Sequence, residues 1–202
     1  MTKLKEQEIL QEFISAKAML KGHFILSSGL HSDTYMQCAR VLMEPKRAEK
    51  LCEALAEKII EKLGKNFADI VVAPAMGGVV VGYELARQLD LPTIFCERVN
   101  GVFELRRGFE LAQNARVLVV EDVITTGKSS LETYDLVKKF GAKVVAEASL
   151  VDRSNDKNLE EKMGVPVVSL LMIDVKTFDE KNIPEELKTI PAIKPGSRFI
   201  KN

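Results

Sequence analysis

The chain has 202 residues, 46% of them apolar, and 29 basic side chains balance 29 acidic ones. That length fits a single domain, here expected to span 1–202, with a sizeable core. The balanced charge offers no general field for nucleic acid or an anionic membrane, and no apolar run approaches the ~20 residues that cross a bilayer. The opening MTKLKEQEIL has no secretory core, and Cys38, Cys52 and Cys96 are widely spaced with no CxxC pair. Reduced, buried thiols in a cytoplasmic protein are therefore expected.

Leu4, Ile9, Leu10, Phe13, Ile14 and Ala18 recur near a 3.6 period and predict an amphipathic helix over 4–20, ended by Gly22. HFILSSGLHSDTYMQ then reads as extended chain around a Ser-Ser-Gly turn, too polar for a core strand. Pro45 opens a second helix over 45–63, closed by Gly64. Strands and helices alternate from there. Strands are predicted at 69–74, 92–96, 116–121, 143–151 and, last, 166–173; helices at 77–90 and 128–140. This alternation predicts an α/β fold with a parallel sheet and right-handed crossovers. One long connection, ERVNGVFELRRGFELAQNA, interrupts it. A hairpin is expected over 102–109 with Asn100-Gly101 as turn signal, and the segment carries Arg98, Arg106 and Arg107 but no lysine. The tail from Asp174, with Pro184, Pro191 and Pro195, is expected to pack with the N-terminal segment as a small cap.

The chemistry concentrates in VLVVEDVITTGKSSL, residues 117–131. Four apolar residues are followed by Glu121 and Asp122, a hydroxyl-rich loop, and a helix start. Ligands of open α/β sheets sit at such a junction, and a helix N-terminus accepts an anion. Gly127-Lys128-Ser129 resembles the end of a P-loop, but the first glycine of that pattern would fall on Asp122, whose charge would face the phosphates. What remains is a loop whose N–H groups at 125–129, with Thr125, Thr126 and Ser129 hydroxyls, wrap one terminal phosphate. The two acids suit vicinal hydroxyls or a magnesium ion. An ordinary loop with Thr126 as N-cap accounts for one threonine, but not for two acids at the end of a buried strand.

VLVVEDVITTGKS closely resembles the phosphoribosyl-pyrophosphate (PRPP) motif of type I phosphoribosyltransferases. The resemblance implies that fold: a central, mainly parallel, twisted sheet flanked by helices, with a hood of about 1–42 and 174–202 on a core of about 43–173. It also implies that Glu121 and Asp122 hold the ribose hydroxyls and that Val123, Ile124, Thr125, Thr126, Gly127, Lys128 and Ser129 complete the PRPP site. Other segments resemble orotate phosphoribosyltransferases. These are GHFILSSGLHSDTYMQCARVL, the pyrophosphate loop in APAMGGVVVGYELA (Ala75, Met76, Gly77, Gly78), a short mobile loop in CERVNGVFELRRGF, and LVDRSND with Arg153. The resemblance covers about 20–200.

The implied reaction is transfer of the 5-phosphoribosyl group from PRPP to orotate, releasing pyrophosphate, with Mg2+ held through PRPP rather than by a dedicated set of protein ligands, Glu121 and Asp122 being the side chains available to touch it. Arg98 and Asp122 are the implied catalytic residues, and Thr125 and Arg153 the implied orotate contacts. A homodimer is implied, its mobile loop shared across the interface. Arg153 has a plainer reading as a surface ion pair with Asp152, Arg106 and Arg107 as hairpin decoration, and Tyr35 as packing rather than pocket wall with Ser27 and Ser28. His23 and His31 have no Cys or His partner near in sequence, so no metal site is expected there. Where many relatives carry lysines this chain has Ser27 and Gly77, and its loop also lacks the usual lysines and histidine; Arg98, Arg106 and Arg107 are the cations available to replace them. Two alternatives stand: a purine phosphoribosyltransferase, and a non-catalytic PRPP sensor that binds nucleic acid.

Overall fold

A computed structural model describes residues 4–26 and 29–195. Ser27 and Ser28, expected to line a pocket, lie outside the described residues. The chain runs α1 (Glu6–Ser15), β1 (Met19–Ile25), β2 (His31–Met36), α2 (Ala39–Leu42), α3 (Pro45–Leu63), β3 (Ile70–Pro74) and α4 (Gly77–Leu89). It continues through β4 (Thr93–Val99), β5 (Val102–Leu105), β6 (Arg116–Ile124), α5 (Lys128–Lys139), β7 (Lys143–Asp152), α6 (Leu159–Met163), β8 (Val167–Met172), β9 (Thr177–Phe178) and α7 (Glu185–Lys188).

Six strands form the main sheet in the order β5-β4-β3-β6-β7-β8. All neighbours are parallel except β5, which returns antiparallel along β4. The sheet is buried on both faces, which is why β6 reads as an unbroken apolar run rather than an alternating one. Leu118 and Val120 pack into one layer with Leu51, Leu55 and Ile59 of α3 and Leu85 of α4. Val117 and Val119 point the other way, onto Tyr134 and Val137 of α5. α3 follows its expected limits, with Pro45 in the first turn and Gly64 at its end.

The N-terminal region differs from expectation. α1 stops at Ser15, Lys17 takes a positive φ of 52°, and Met19 already belongs to β1, so Gly22 sits inside a strand instead of ending a helix. The apolar period carried past Ser15 because Ala18 is also a core residue, reached by extended chain. The polar 23–37 stretch does form strands, in a separate three-stranded sheet β1-β2-β9. There β2 pairs with Thr177 and Phe178, and Phe24 bridges Ile193, so both ends of the chain meet in one small sheet.

The Asn100-Gly101 turn forms as expected, with φ of 51° and 87°, but it joins β4 to β5: the hairpin begins upstream, pairing Val99 with Val102 and Cys96 with Leu105. β6 extends three residues beyond Glu121, and β8 is followed by one more strand, β9. Three short helices, α2, α6 and α7, carry too few residues for a period to show.

Candidate active site

β3 lies between β4 and β6, so the chain leaves it to one side and then returns on the other. That reversal opens a crevice beyond the carboxyl ends of β3 and β6, where ligands of such sheets bind. The loop 75–78 and the acid-rich end of β6 emerge side by side there. A β-carbon at Gly77 would lie 2.6 Å from Oδ1 of Asp122 and 2.8 Å from its Cγ. Gly77 is therefore in van der Waals reach of Asp122, Gly78 packs on the Val120 carbonyl of β6, and the Ala75–Met76 peptide that precedes them is cis. The same contact explains the missing lysine: no side chain fits at 77 while Asp122 keeps its place.

Strand alternation puts the two acids on opposite sides of β6. Glu121 is buried, and its carboxyl is pushed up to about 9, first by burial and then by the neighbouring Asp122 and Glu147 carboxylates. Burial also raises Asp122, against the Val123 N–H that donates to its Oδ1 at 2.9 Å and the nearby charge of Arg153. Among the described residues neither acid has a salt-bridge partner. Two such carboxylates are costly when ionised, and a ligand bringing a cation or hydroxyl donors relieves that cost.

Thr125 to Gly127 connect β6 to α5, and Lys128 and Ser129 open that helix. Gly127, not Thr126, is the N-cap; its φ of 73° suits glycine, and Met163 would lie 3.1 Å from an added β-carbon. Thr126 Oγ1 accepts a long bond from Lys128 N–H, 3.4 Å, and Lys128 itself is exposed with Nζ 3.9 Å from Glu132. The first-turn N–H groups and the helix dipole remain for an anion. Ile124 turns its side chain into the core, and Val123 packs partly on the opposite layer, so these two can offer a ligand only backbone.

Arg153 follows β7 and donates from Nε to Thr125 Oγ1 at 3.1 Å. The ion pair with Asp152 is absent: Asp152 instead accepts from the Ser154 N–H at 2.8 Å. Arg153 sits in the field of Tyr35, Cys38 and Asp122, its pKa is lowered by burial, and its Nη1 is buried with no hydrogen-bond partner. Tyr35, on β2, donates to Gln37 Oε1 at 3.3 Å. A hydroxylated loop, a half-satisfied guanidinium and an aromatic edge thus converge at one end of the crevice.

The loop arginines are engaged. Arg98 binds Glu132 of α5, donates to the Gly101 carbonyl at 2.8 Å and lies 4.0 Å over the Phe103 ring. It is close enough to Glu121 to act on its charge. Arg107 pairs with Glu97 at 2.9 Å, which fixes it on the hairpin. Arg106 is exposed and acts on Glu97 through space. His23 and His31 are not isolated: His23 Nε2 and His31 Nδ1 are 2.6 Å apart across the β1–β2 pair, and His23 Nδ1 lies 2.9 Å from the Ile190 carbonyl. Strand pairing brought them together over a separation no local motif shows. No group of three metal-ligating side chains occurs among the described residues.

Two features went unread in the sequence. Glu147 is wholly buried in β7, where Ser130 and Tyr134 of α5 both donate to it, and it is raised to about 7 chiefly by burial. An acid inside KVVAEASLV was the available signal. Lys162 of α6 donates to the Thr126 carbonyl at 2.9 Å, a contact with no local signature.

Residues 42–188 match the phosphoribosyl transferase domain model. The orotate phosphoribosyltransferase of Rhizorhabdus wittichii is 52% identical over 195 residues, covering 96% of this chain and 97% of that protein. The orotate phosphoribosyltransferase of Maricaulis maris is 51% identical, covering 96% and 98%. Among solved structures, the orotate phosphoribosyltransferase of Aeropyrum pernix aligns with a TM-score of 0.67 at 28% identity, over 81% of this chain and 93% of that one. An adenine phosphoribosyltransferase from Thermoanaerobacter pseudethanolicus shares the fold at 20% identity, with a TM-score of 0.59 over 69% of this chain and 88% of that one.

Proposed function

Because this chain belongs to the phosphoribosyltransferase family, we propose that it transfers the 5-phosphoribosyl group of PRPP to orotate, yielding orotidine 5-monophosphate and pyrophosphate for pyrimidine synthesis. The buried, unpartnered Nη1 of Arg153 carries the choice of substrate. An acidic pyrimidine brings a carboxylate, and a planar guanidinium fork held by Thr125 is the complementary group. A purine brings no such charge.

The roles follow from position. N–H groups of Thr125 to Ser129 take the 5-phosphate at the α5 N-terminus. Glu121 and Asp122 accept from the ribose hydroxyls, and the backbone of Ala75 to Gly78 faces the pyrophosphate. The ring nitrogen of orotate forms its bond to C1 as the C1–oxygen bond to pyrophosphate breaks. Positive character on the sugar is stabilised by the acids beside it, so catalysis is mainly positioning and electrostatics. The acids offer hard oxygen donors, but only two of them, which fits Mg2+ held largely by PRPP oxygens and water. That ion supplies charge neutralisation of the departing pyrophosphate. The β4–β5 hairpin, residues 98–108, acts as the lid that excludes water, with Arg98 released from Glu132 to meet pyrophosphate.

A homodimer suits an apolar stripe formed by Met76 in the 75–78 loop and Val80 and Tyr83 of α4, which are 83%, 49% and 66% exposed. The small sheet β1-β2-β9 acts as a hood carrying Tyr35 over the core. Three free buried cysteines suit a reducing compartment such as the cytoplasm. Among the described residues no helix is long and apolar enough to cross a membrane.

The test is direct. With Mg2+ and PRPP, the protein should consume orotate, followed by loss of its ultraviolet absorbance, and leave adenine untouched. Turnover of adenine without orotate would reject the assignment.

A further inference from the structure

α6 touches the phosphate loop twice. Lys162 Nζ donates to the Thr126 carbonyl at 2.9 Å, and the end of Met163 lies where a side chain at Gly127 would go. Lys162 also has Asp156 Oδ2 at 3.8 Å. The helix has its own anchor: Glu160 binds Lys62 of α3 and accepts from the Val167 N–H at 3.0 Å. The brace is therefore held from behind by α3 and β8.

The peptide joining Thr126 to Gly127 is planar and trans, so its C=O and N–H point in opposite directions. An ammonium bound to the oxygen fixes where the N–H points: away from α6, into the cradle. It also polarises that peptide, strengthening the N–H as a donor, and adds a positive charge behind the anion site. We infer that Lys162 is a positioning residue for the 5-phosphate of PRPP, acting through the Thr126–Gly127 peptide without touching substrate. Arg153, on the connection that leads from β7 into α6, grips the preceding residue, Thr125. One segment therefore holds consecutive residues of the loop, one with the orotate arginine and one with Lys162.

The inference rests on the assignment of Thr125 to Ser129 to phosphate, and the experiment separates the two. Lys162 is 43% exposed, so Lys162→Met should fold with little change in melting temperature. Its KM for PRPP, and its Kd for inorganic phosphate by calorimetry, should rise about five- to tenfold, the size of a partly screened charge at a helix terminus. kcat and the KM for orotate should stay within about twofold, and Lys162→Arg should restore most of the PRPP affinity. A parallel Gly127→Ala variant reads the loop itself. If Gly127→Ala weakens PRPP while Lys162→Met leaves it within twofold, the role of Lys162 is refuted and the loop assignment stands. If neither variant affects PRPP or phosphate, the loop assignment has failed. A Lys162→Met protein that loses melting temperature and all kinetic constants together shows a merely structural lysine and also overturns the inference.

Discussion

Gly77→Ala probes how tightly the 75–78 loop and the acids at the end of β6 are fitted. The new methyl would lie 2.6 Å from Oδ1, 2.8 Å from Cγ and 2.9 Å from Oδ2 of Asp122. All three are well inside van der Waals contact, and Asp122 is short, half-buried and held by the Val123 N–H at 2.9 Å. Either the carboxylate rotates and abandons that bond, or the backbone around 77 retreats. Overpacking of this kind costs about 1–3 kcal/mol. If it falls on the transition state, kcat/KM drops roughly 5- to 150-fold; if it falls on the folded state, the melting temperature drops by about 2–4 °C for each kcal/mol. Steady-state kinetics with PRPP varied, and thermal unfolding of the same samples, divide the two. The decisive arm is a double-mutant cycle for stability with Asp122→Ala. Removing the carboxylate removes the clash, so Gly77→Ala should then cost little. Strictly additive losses, or an unchanged single variant, would refute the contact as the reason for glycine at this position.

Arg153→Met should raise the KM for orotate by about 100-fold, as expected for a buried charge-assisted pair, and move that for PRPP far less; equal weakening of both substrates would count against it. Asp122→Asn should raise the PRPP requirement at least about tenfold without loss of fold, since a hydrogen-bonding ribose acceptor is halved; unaltered kinetics would remove the acid from the site. Glu121 and Glu147 are raised to about 9 and about 7, so the native chain holds protons that the unfolded chain gives up. The contribution of these two acids to the stability of the ligand-free protein is therefore complete below the ordinary glutamate range and is lost as pH rises through about 7 and then about 9, while carboxylates held low by partners, such as Asp69 and Glu97, contribute with the opposite sign in acid. Denaturant unfolding across that range checks the sign; Glu121→Gln should flatten the upper part of the decline, and an unchanged slope would contradict its burial as a proton-holding acid.

The main sheet was legible because its strands are buried on both faces and announce themselves as apolar runs between helical periods. The acid pair at the end of β6 was legible for the opposite reason, being charge where burial makes charge expensive. Failures occur where tertiary pairing decides. Ala18 belongs to the core through a strand, not the helix its spacing suggested. His23 and His31 are neighbours only because β1 and β2 pair. Glu147 meets Ser130 and Tyr134 across the sheet–helix gap, and Lys162 reaches Thr126 from a helix of five residues, too short to show a period. The positions of Arg98 and Arg107, tied to Glu132 and Glu97, were likewise set by strand register in the hairpin.

The small sheet has a bearing on how the molecule is made. Ser32 donates to the Lys176 carbonyl across a separation of 144 residues, and β2 finds its second neighbour only at Thr177 and Phe178. On a ribosome, the loop after β6 and the sheet that carries it can fold while the tail is still in the exit tunnel. The wall bearing Tyr35 cannot be completed then, because its partner strand has yet to emerge. Closing so long a loop is slow and comes late. A nascent chain released short of β9 should thus carry the loop after β6 and Arg153 on a folded core, while the wall bearing Tyr35 stays unfinished until Thr177 and Phe178 emerge.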